Sequence, residues 1–257
     1  MKLNLEGKVV LVTGGSKGIG LACVRAFLAE GAKVAIASRS RENLERAAAA
    51  ASATLWVAAD LTRPEPARDM ARQVLNKLGG IDILVNSAGA AKRYLPDDLD
   101  ASAWHAAMDA KYFTYIHAMD AVLPDMASRG AGCVVNVIGM GGKVASPIHL
   151  PGGAANSALM LATVGLAQVY APKGIRINAV NPGATLTDRV KEALRLEATA
   201  RKMTEDEVLT QGQSRVPLRR YASADEIASV VAFLASDRAS YVTGAIIPMD
   251  GGSNPVI

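Results

Sequence analysis

Seven short runs of β-branched and apolar residues recur along the chain, with helix-patterned stretches between them. The runs are VVLVT (9–13), VAIA (34–37), TLWVA (54–58), IDILVN (81–86), CVVNVI (133–138), IRINAV (175–180) and AIIPM (245–249). Strands that are apolar almost throughout belong in a sheet covered on both faces, and strand–helix alternation supplies the covering helices. The rhythm therefore predicts an α/β fold around a parallel sheet of about seven strands. Helical patterning is clear at 18–30 and 64–78 and runs longer at 101–127 and 153–171, while the alanine run 47–51 is a good helix former. Residues 186–214 are polar, lack a strand signal and follow a strand end. In open α/β sheets ligands bind beyond the carboxyl ends of the strands, so this stretch is expected to be a lid or substrate loop.

With 257 residues, half of them hydrophobic, the chain can bury one substantial core, and no shift of composition marks a linker, so 1–257 reads as one domain. The two cysteines, Cys23 and Cys133, sit in apolar contexts that suit reduced core thiols better than a disulfide or a metal site, and no metal is expected. The start MKLNLEGKVV lacks the apolar stretch of a signal peptide, and ALMLATVGLA is too short to cross a bilayer, so a cytoplasmic protein without a membrane partner is expected. A net charge of +4 with 4% aromatics does not make the basic, aromatic-studded surface of a nucleic-acid binder. A small anionic ligand accounts for it.

The first strand runs into TGGSKGIG (13–20), which opens a helix. Glycines there allow a tight turn and let backbone N–H groups and a helix N-terminus approach a pyrophosphate, marking Gly14, Ser16, Lys17, Gly18, Ile19 and Gly20 as a dinucleotide loop. Such sites usually place an acid after the second strand to hold a ribose 2′-hydroxyl. Here that strand ends IASRS, so Ser38 and Arg39 stand where the acid would be, and Lys17 adds a second cation. A guanidinium pairs well with a 2′-phosphate, so the cofactor is expected to be NADP.

The ordered set TGGSKGIG (13–20), ADLT (59–62), NSAG (86–89), VVNV (134–137), GIRINAVNPGATLT (174–187), EIASVVAFLAS (226–236) and YVTGAIIPMDGG (241–252) resembles the short-chain dehydrogenase/reductase family along nearly the whole length. The resemblance implies a doubly wound Rossmann fold in which Asp60, with Leu61, meets the adenine. It further implies that Asn86, Ala88 and Gly89 line the cofactor's middle and that Pro182, Gly183, Thr185 and Thr187 meet the nicotinamide end. NSAG departs from the family's usual double asparagine, a small change.

The same resemblance implies hydride exchange with a carbonyl or alcohol, assisted by a serine, a tyrosine, a lysine four residues later and an asparagine on the preceding long helix. Counting forward from CVVNVI and backward from GIRINAV gives one register, in which these positions are Gly139, Gly152, Asn156 and, within MDAKYFTYIHAM, Lys111. All four are replaced. Three residues are candidates for the vacant roles. His149 lies three before Gly152, just outside a helix that Pro151 suits as first residue, where a helix N-terminus favours neutral imidazole. Lys111 supplies charge or a hydrogen bond if it reaches the cavity; otherwise it extends to solvent. Asn156 can still bond the nicotinamide ribose, and Lys143 reads as a surface residue.

RLEATARKM (195–203) and RVPLRRY (215–221) leave open an anionic substrate, although Arg219 and Arg220 also fit a framework role. Two functions remain: an NADP-dependent oxidoreductase with a non-standard proton donor, or a catalytically silent NADP-binding protein. Ala107, Met119, Leu159, Leu161 and Val164 give the long helices more apolar residues than one sheet face needs, and together with the resemblance they imply a homodimer or homotetramer.

Overall fold

The computed structural model describes residues 2–89 and 92–254, apart from the side chains at 189, 192, 196 and 200. The first half alternates β1 (Val9–Thr13), α1 (Gly18–Ala29), β2 (Lys33–Ser38), α2 (Arg41–Ala51), β3 (Leu55–Ala58), α3 (Pro64–Leu78) and β4 (Ile83–Asn86). Then follow α4 (Ala101–Ala107), α5 (Thr114–Arg129), β5 (Gly132–Val137), α6 (Leu150–Tyr170) and β6 (Ile175–Pro182). The last part contains β7 (Thr185–Leu186), α7 (Asp188–Arg201), α8 (Glu205–Ser214), β8 (Ala222–Ser223), α9 (Ala224–Ala235) and β9 (Ile246–Met249).

Seven strands form one parallel sheet in the order β3-β2-β1-β4-β5-β6-β9, while β7 and β8 pair separately. The chain winds outward from β1 to β3, then returns to the centre and winds the other way from β4. The loops after β1 and β4 consequently diverge, and this switch point opens a crevice at the carboxyl edge of the sheet.

Successive strand residues face opposite sides, which makes two cores. Leu11, Leu84, Val134 and Ile177 face Met70, Val74, Met119 and Leu159 on α3, α5 and α6. Val12, Ile36, Val85 and Val135 face Val24, Phe27, Leu44 and Val231 on α1, α2 and α9. Each such side chain, fully buried, contributes about 1.5–3 kcal/mol. α9 starts at a capping box in which Ser223 and Glu226 satisfy each other's backbone N–H.

Three expectations need correction. The helix anticipated at 101–127 is two helices joined by a π-helical turn, Met108–Phe113, which puts Lys111 at an irregular point of the backbone. Of the five apolar residues read as more than one sheet face needs, Ala107, Met119 and Leu159 are core. Leu161 is 76% exposed, and the same outer face of α6 carries Val169 at 59%. Finally, the apolar stretch is longer than ALMLATVGLA suggests. Leu150–Lys173 is long and apolar enough to cross a membrane by length and composition alone, yet α6 packs on β6 and buries Ala155, Leu159, Met160 and Ala167.

Candidate active site

On the β1–β2–β3 side of the crevice is a cavity of about 240 Å³. Eight residues expected from the sequence line it: Gly14, Ser16, Ser38, Arg39, Asp60, Leu61, Ala88 and Gly89. Six others do as well, namely Ser40, Asn43, Ala59, Thr62, Ala110 and Thr114. Ser40 caps α2 by accepting from Asn43 N (3.3 Å), a serine-at-N-cap signal that was readable in the sequence.

The glycine loop closes by backbone contact. Gly14 lies at φ +68°, and a methyl group placed on it would come within 2.6 Å of Ser87 O. One placed on Gly20 would come within 2.2 Å of Gly14 O. Lys17 is the N-cap of α1 with no side-chain cap and no acid in the first turn, so the helix presents uncapped N–H groups and the positive end of its dipole. Gly18 and Ile19 begin that helix, and the methyl of Thr187 sits 3.5 Å from where a Cβ on Gly18 would be.

Arg39 and Lys17 are exposed, as a contact with a solvated phosphate requires. Asp60 accepts from Thr62 N (3.1 Å) and Thr62 Oγ1 (2.9 Å). Burial pushes its carboxyl up, but these hydrogen bonds and the charges of Arg39 and Arg63 outweigh that and hold it below the ordinary carboxylate range. Arg41, by contrast, stacks over Trp56 and pairs with Glu45 (2.9 Å).

Asn86 was expected to line the cofactor's middle, but its side chain lies inside the sheet. Thr13 Oγ1 donates to Asn86 Oδ1 (3.2 Å), Asn86 Nδ2 to Asn136 Oδ1 (3.0 Å), and Asn136 Nδ2 to Thr163 Oγ1 (3.0 Å). All four residues are fully buried. Thr13 Oγ1 also accepts from Ser87 N and Ala88 N, so this polar chain anchors the loop that reaches the cavity.

On the β5–β6 side, Gly139 follows β5 and donates its N–H to Asn181 Oδ1 (3.1 Å). Its φ of +129° and ψ of 148° belong to a region that side-chain-bearing residues essentially avoid. The turn it starts, Met140–Gly142, lies on the first turns of α6. Ser157 Oγ donates to Gly142 O (2.6 Å), and a methyl group on Gly153 would come within 2.7 Å of Gly141 O. Pro182 ends β6, Gly183 donates its N–H to Met249 O (3.0 Å), and the nearly buried Thr185 donates to Gly183 O (3.2 Å).

His149 is the N-cap of α6, outside the helix as expected, although Pro151 is its second residue rather than its first. The imidazole is half-buried and its Cδ2 lies 3.4 Å from where a Cβ on Gly141 would be. Gly152 is buried in the first turn. Asn156, one turn further, is 6% exposed, and its Nδ2 lies 3.4 and 3.5 Å from Cβ positions on Gly139 and Gly141.

Lys111 is 8% exposed. Its Nζ donates to Tyr115 Oη (2.8 Å) and Val137 O (3.1 Å) and lies over the Tyr115 ring. The Tyr115 hydroxyl also donates to Val137 O, and burial pushes this phenol well above its ordinary value. The ammonium is thus held at the end of β5, whereas Ala110 and Thr114 on either side of it reach the cavity.

Several cations of 195–221 have local acceptors. Arg195 pairs with Glu205 (3.4 Å), Arg201 with Glu197 (2.8 Å) and Arg220 with both oxygens of Glu226 (2.6 and 2.8 Å), while Arg219 Nη1 donates to Ser214 O. These contacts support the framework reading over the anionic-substrate one. The expected lid consists of α7 and α8, and Lys143 is exposed. Burial pushes the Cys23 and Cys133 thiols up to about 12 and about 11. Among the described residues no three metal-ligating side chains cluster.

A family profile described as enoyl-(acyl carrier protein) reductase matches residues 14–254. D-beta-hydroxybutyrate dehydrogenase of Rhizobium meliloti is 31% identical over 255 residues, covering 95% of this chain and 98% of that one. L-sorbose reductase from Gluconobacter frateurii, solved with NADPH and L-sorbose, superposes with a TM-score of 0.93 at 27% identity, covering both chains completely. An NAD⁺-bound xylitol dehydrogenase superposes with a TM-score of 0.90 at 30% identity, covering 97% of this chain and 100% of the other.

Proposed function

The chain belongs to the short-chain dehydrogenase/reductase family, and we propose that it is an NADP-dependent oxidoreductase exchanging hydride with a carbonyl or alcohol, with proton handling unlike its family's. The observation that carries the cofactor assignment is Arg39. It lines the cavity at the end of β2, where Ser38 stands beside it and that strand end carries no acid; Asp60, the carboxylate that does line the cavity, follows β3. The relatives include NADPH-bound and NAD⁺-bound proteins, and this local chemistry supports NADP.

The cradle fits a dinucleotide: the α1 N-terminus is uncapped and Gly14 and Gly20 admit no side chain. When bound, NADPH would supply the hydride to a carbonyl, or NADP⁺ would accept it from an alcohol. Gly14 and the α1 N–H groups hold the pyrophosphate, Arg39 and Lys17 the 2′-phosphate, and Asp60 the adenine end. Ala88 and Gly89 border the middle, and Pro182, Gly183, Thr185 and Thr187 the nicotinamide end.

Of the three candidates for the proton, His149 is the one whose chemistry and place agree. Asn156 has an amide that does not titrate, and the Lys111 ammonium is turned to Val137 O. His149 stands at the α6 N-terminus against Gly141, and its imidazole has two ring nitrogens able to carry a proton. Losing a fully optimised acid–base relay typically costs about 10²–10⁴ in rate, whereas orientation in the bound pair retains much of the acceleration.

The second reading, a silent NADP binder, is favoured by the Gly139 backbone, which has settled where a serine does not follow. The two readings separate by NADPH absorbance on a ketone and alcohol panel, run beside an NADP titration. Turnover that drops by roughly 10²-fold in His149→Ala, with NADP affinity within about a factor of three, supports the enzyme. NADP binding without turnover, unchanged by His149→Ala, leaves the silent binder.

Association of copies belongs to the same reading. Leu161 and Val169 on α6, with Trp104 on α4 and Phe113 on the π-turn, are large apolar side chains left exposed. A dimer or tetramer covers them, and a monomeric mass by light scattering at micromolar concentration rules it out.

A further inference from the structure

The cavity has two walls from separate parts of the chain. Asp60, Leu61 and Thr62 line it from the loop after β3, and Ala110 and Thr114 line it from the π-turn and the start of α5. The loop's own hydrogen bonds stay on its side: Ala59 N donates to Ser38 O (3.0 Å), Arg63 N to Asp60 O (3.4 Å), and Thr62 to the Asp60 carboxylate. None of these sets the distance between the walls. Among the described residues one hydrogen bond joins them, from His117 Nδ1 to Leu61 O (3.0 Å). His117 lies on α5 about one turn beyond Thr114. A carbonyl oxygen only accepts, so Nδ1 carries the proton here, and the neutral ring and the imidazolium donate alike. The same ring stacks with Phe113, with centroids 5.6 Å and planes 24° apart. Leu61 is buried and His117 half-buried, which limits competition from water for the bond. A side chain held both by a hydrogen bond and by packing can fix the place of another group.

We infer that His117 is a positioning residue: by tying Leu61 to α5 it fixes the width of the cavity at the end that takes the adenine. The inference rests on the reading of this cavity as a cofactor site. His117 is not itself a lining residue, so it acts through Leu61. Loops of irregular backbone are mobile unless tied down, and a wall that must be ordered on binding subtracts that ordering from the affinity. The bond from His117 makes the ordering part of the fold instead. Its effect differs in kind from that of Arg39 and Lys17. Those cations address the 2′-phosphate, which NAD lacks, whereas the adenine is common to NADP, NAD and 2′,5′-ADP. His117 therefore acts on all three alike.

The test measures, by calorimetric titration of the full-length protein, the affinities for NADP, NAD and 2′,5′-ADP in the unmodified chain, His117→Leu and His117→Asn. Leucine and asparagine both branch at Cγ, and the asparagine Nδ2 stands where the ring Nδ1 stands, so the donor separates the pair. His117→Leu should weaken all three ligands by a similar factor of roughly 5, the size of one lost hydrogen bond, and His117→Asn should stay within about 2-fold of the unmodified protein. A merely structural histidine would lower the melting temperature in both variants without this split. Should leucine disturb folding, His117→Ala takes its place with the same expectation. The inference is overturned if His117→Leu leaves the three affinities unchanged or if His117→Asn is as weak as His117→Leu. It is overturned as well if the loss spares NAD, which would place the effect at the 2′-phosphate. An unmodified protein that binds none of the three removes the cofactor reading and the inference with it, whereas binding that His117→Leu does not touch removes the inference alone.

Discussion

The crevice has two halves built by different means. Around β1, β2 and β3 the binding groups are backbone N–H, a helix dipole and two exposed cations, and the loop between them closes because Gly14 and Gly20 carry no side chain. Around β5 and β6 the glycines at 139, 141, 142, 152 and 153 leave that side of the crevice poor in side chains and let the turn at 139–142 settle on α6. The difference teaches that the two halves answer to different constraints: a backbone cradle depends on where the chain runs, whereas side-chain chemistry depends on single residues at fixed points and can change under an unchanged fold.

The largest effect expected is therefore on the first half. Gly14→Val places a branched side chain at φ +68° and about a bond length inside contact with Ser87 O, so NADP affinity should fall by roughly 100-fold or more in a fluorescence titration. Near-normal affinity would mean that the loop adapts and that the contrast with the second half is overdrawn.

On the second half, the backbone rather than the missing side chains is the obstacle to repair. Gly139→Ser should cost about 1–3 kcal/mol because φ +129° is strained for any residue with a Cβ. Adding Gly152→Tyr and Asn156→Lys should not raise the rate on the ketone panel above that of the unmodified protein. Normal thermal stability together with a gain of turnover would show that the turn at 139 moves back freely.

Arg39→Ala is a smaller change. NADP should bind roughly 10-fold more weakly, with less sensitivity to salt, and NAD about as before, because the lost contact is charge-assisted and exposed. Equal affinity of the unmodified protein for both cofactors would remove the reason for assigning NADP.

The strand rhythm made the seven-strand sheet legible beforehand, and the glycine loop with the end of β2 gave Gly14, Ser16, Ser38 and Arg39 of the cavity, since these rest on local pattern; Asp60, Leu61, Ala88 and Gly89 came from the family resemblance. The reason Asn86 turned out to belong to the interior is that its partner Asn136, on β5, and Thr163 on α6, which accepts from Asn136, come together with it only once the sheet is assembled. The π-turn at Met108–Phe113 likewise has no periodic signature, so the direction of Lys111 was not available from spacing. Serine and threonine caps were readable and would have drawn Ser40 into the cavity. The Gly139 conformation was not, because glycine permits many backbone states and only packing against Asn181 and α6 selects this one.

The smallest effect concerns acid, and it separates two carboxylates that lie in different parts of the molecule. Hydrogen bonds from Arg220 and Ser223 N hold Glu226 at about 2, below its ordinary 4.5, on the exposed start of α9. A folded value below the unfolded one means that the contribution is fully present above pH 4.5 and is lost as pH falls toward about 2. Glu226→Gln should therefore reduce stability slightly near neutrality and flatten the acid limb of thermal unfolding, leaving NADP affinity untouched. Asp60 is also held low, by Thr62, Arg39 and Arg63 against the upward push of burial, but it lines the cavity. Any acid weakening of NADP binding should consequently survive Glu226→Gln and shift upward in pH in Arg39→Ala, where Asp60 has lost a stabilising charge. If Glu226→Gln instead removes the acid dependence of NADP binding, the first half of the crevice is coupled to the start of α9, and Asp60 is not the group that sets that dependence.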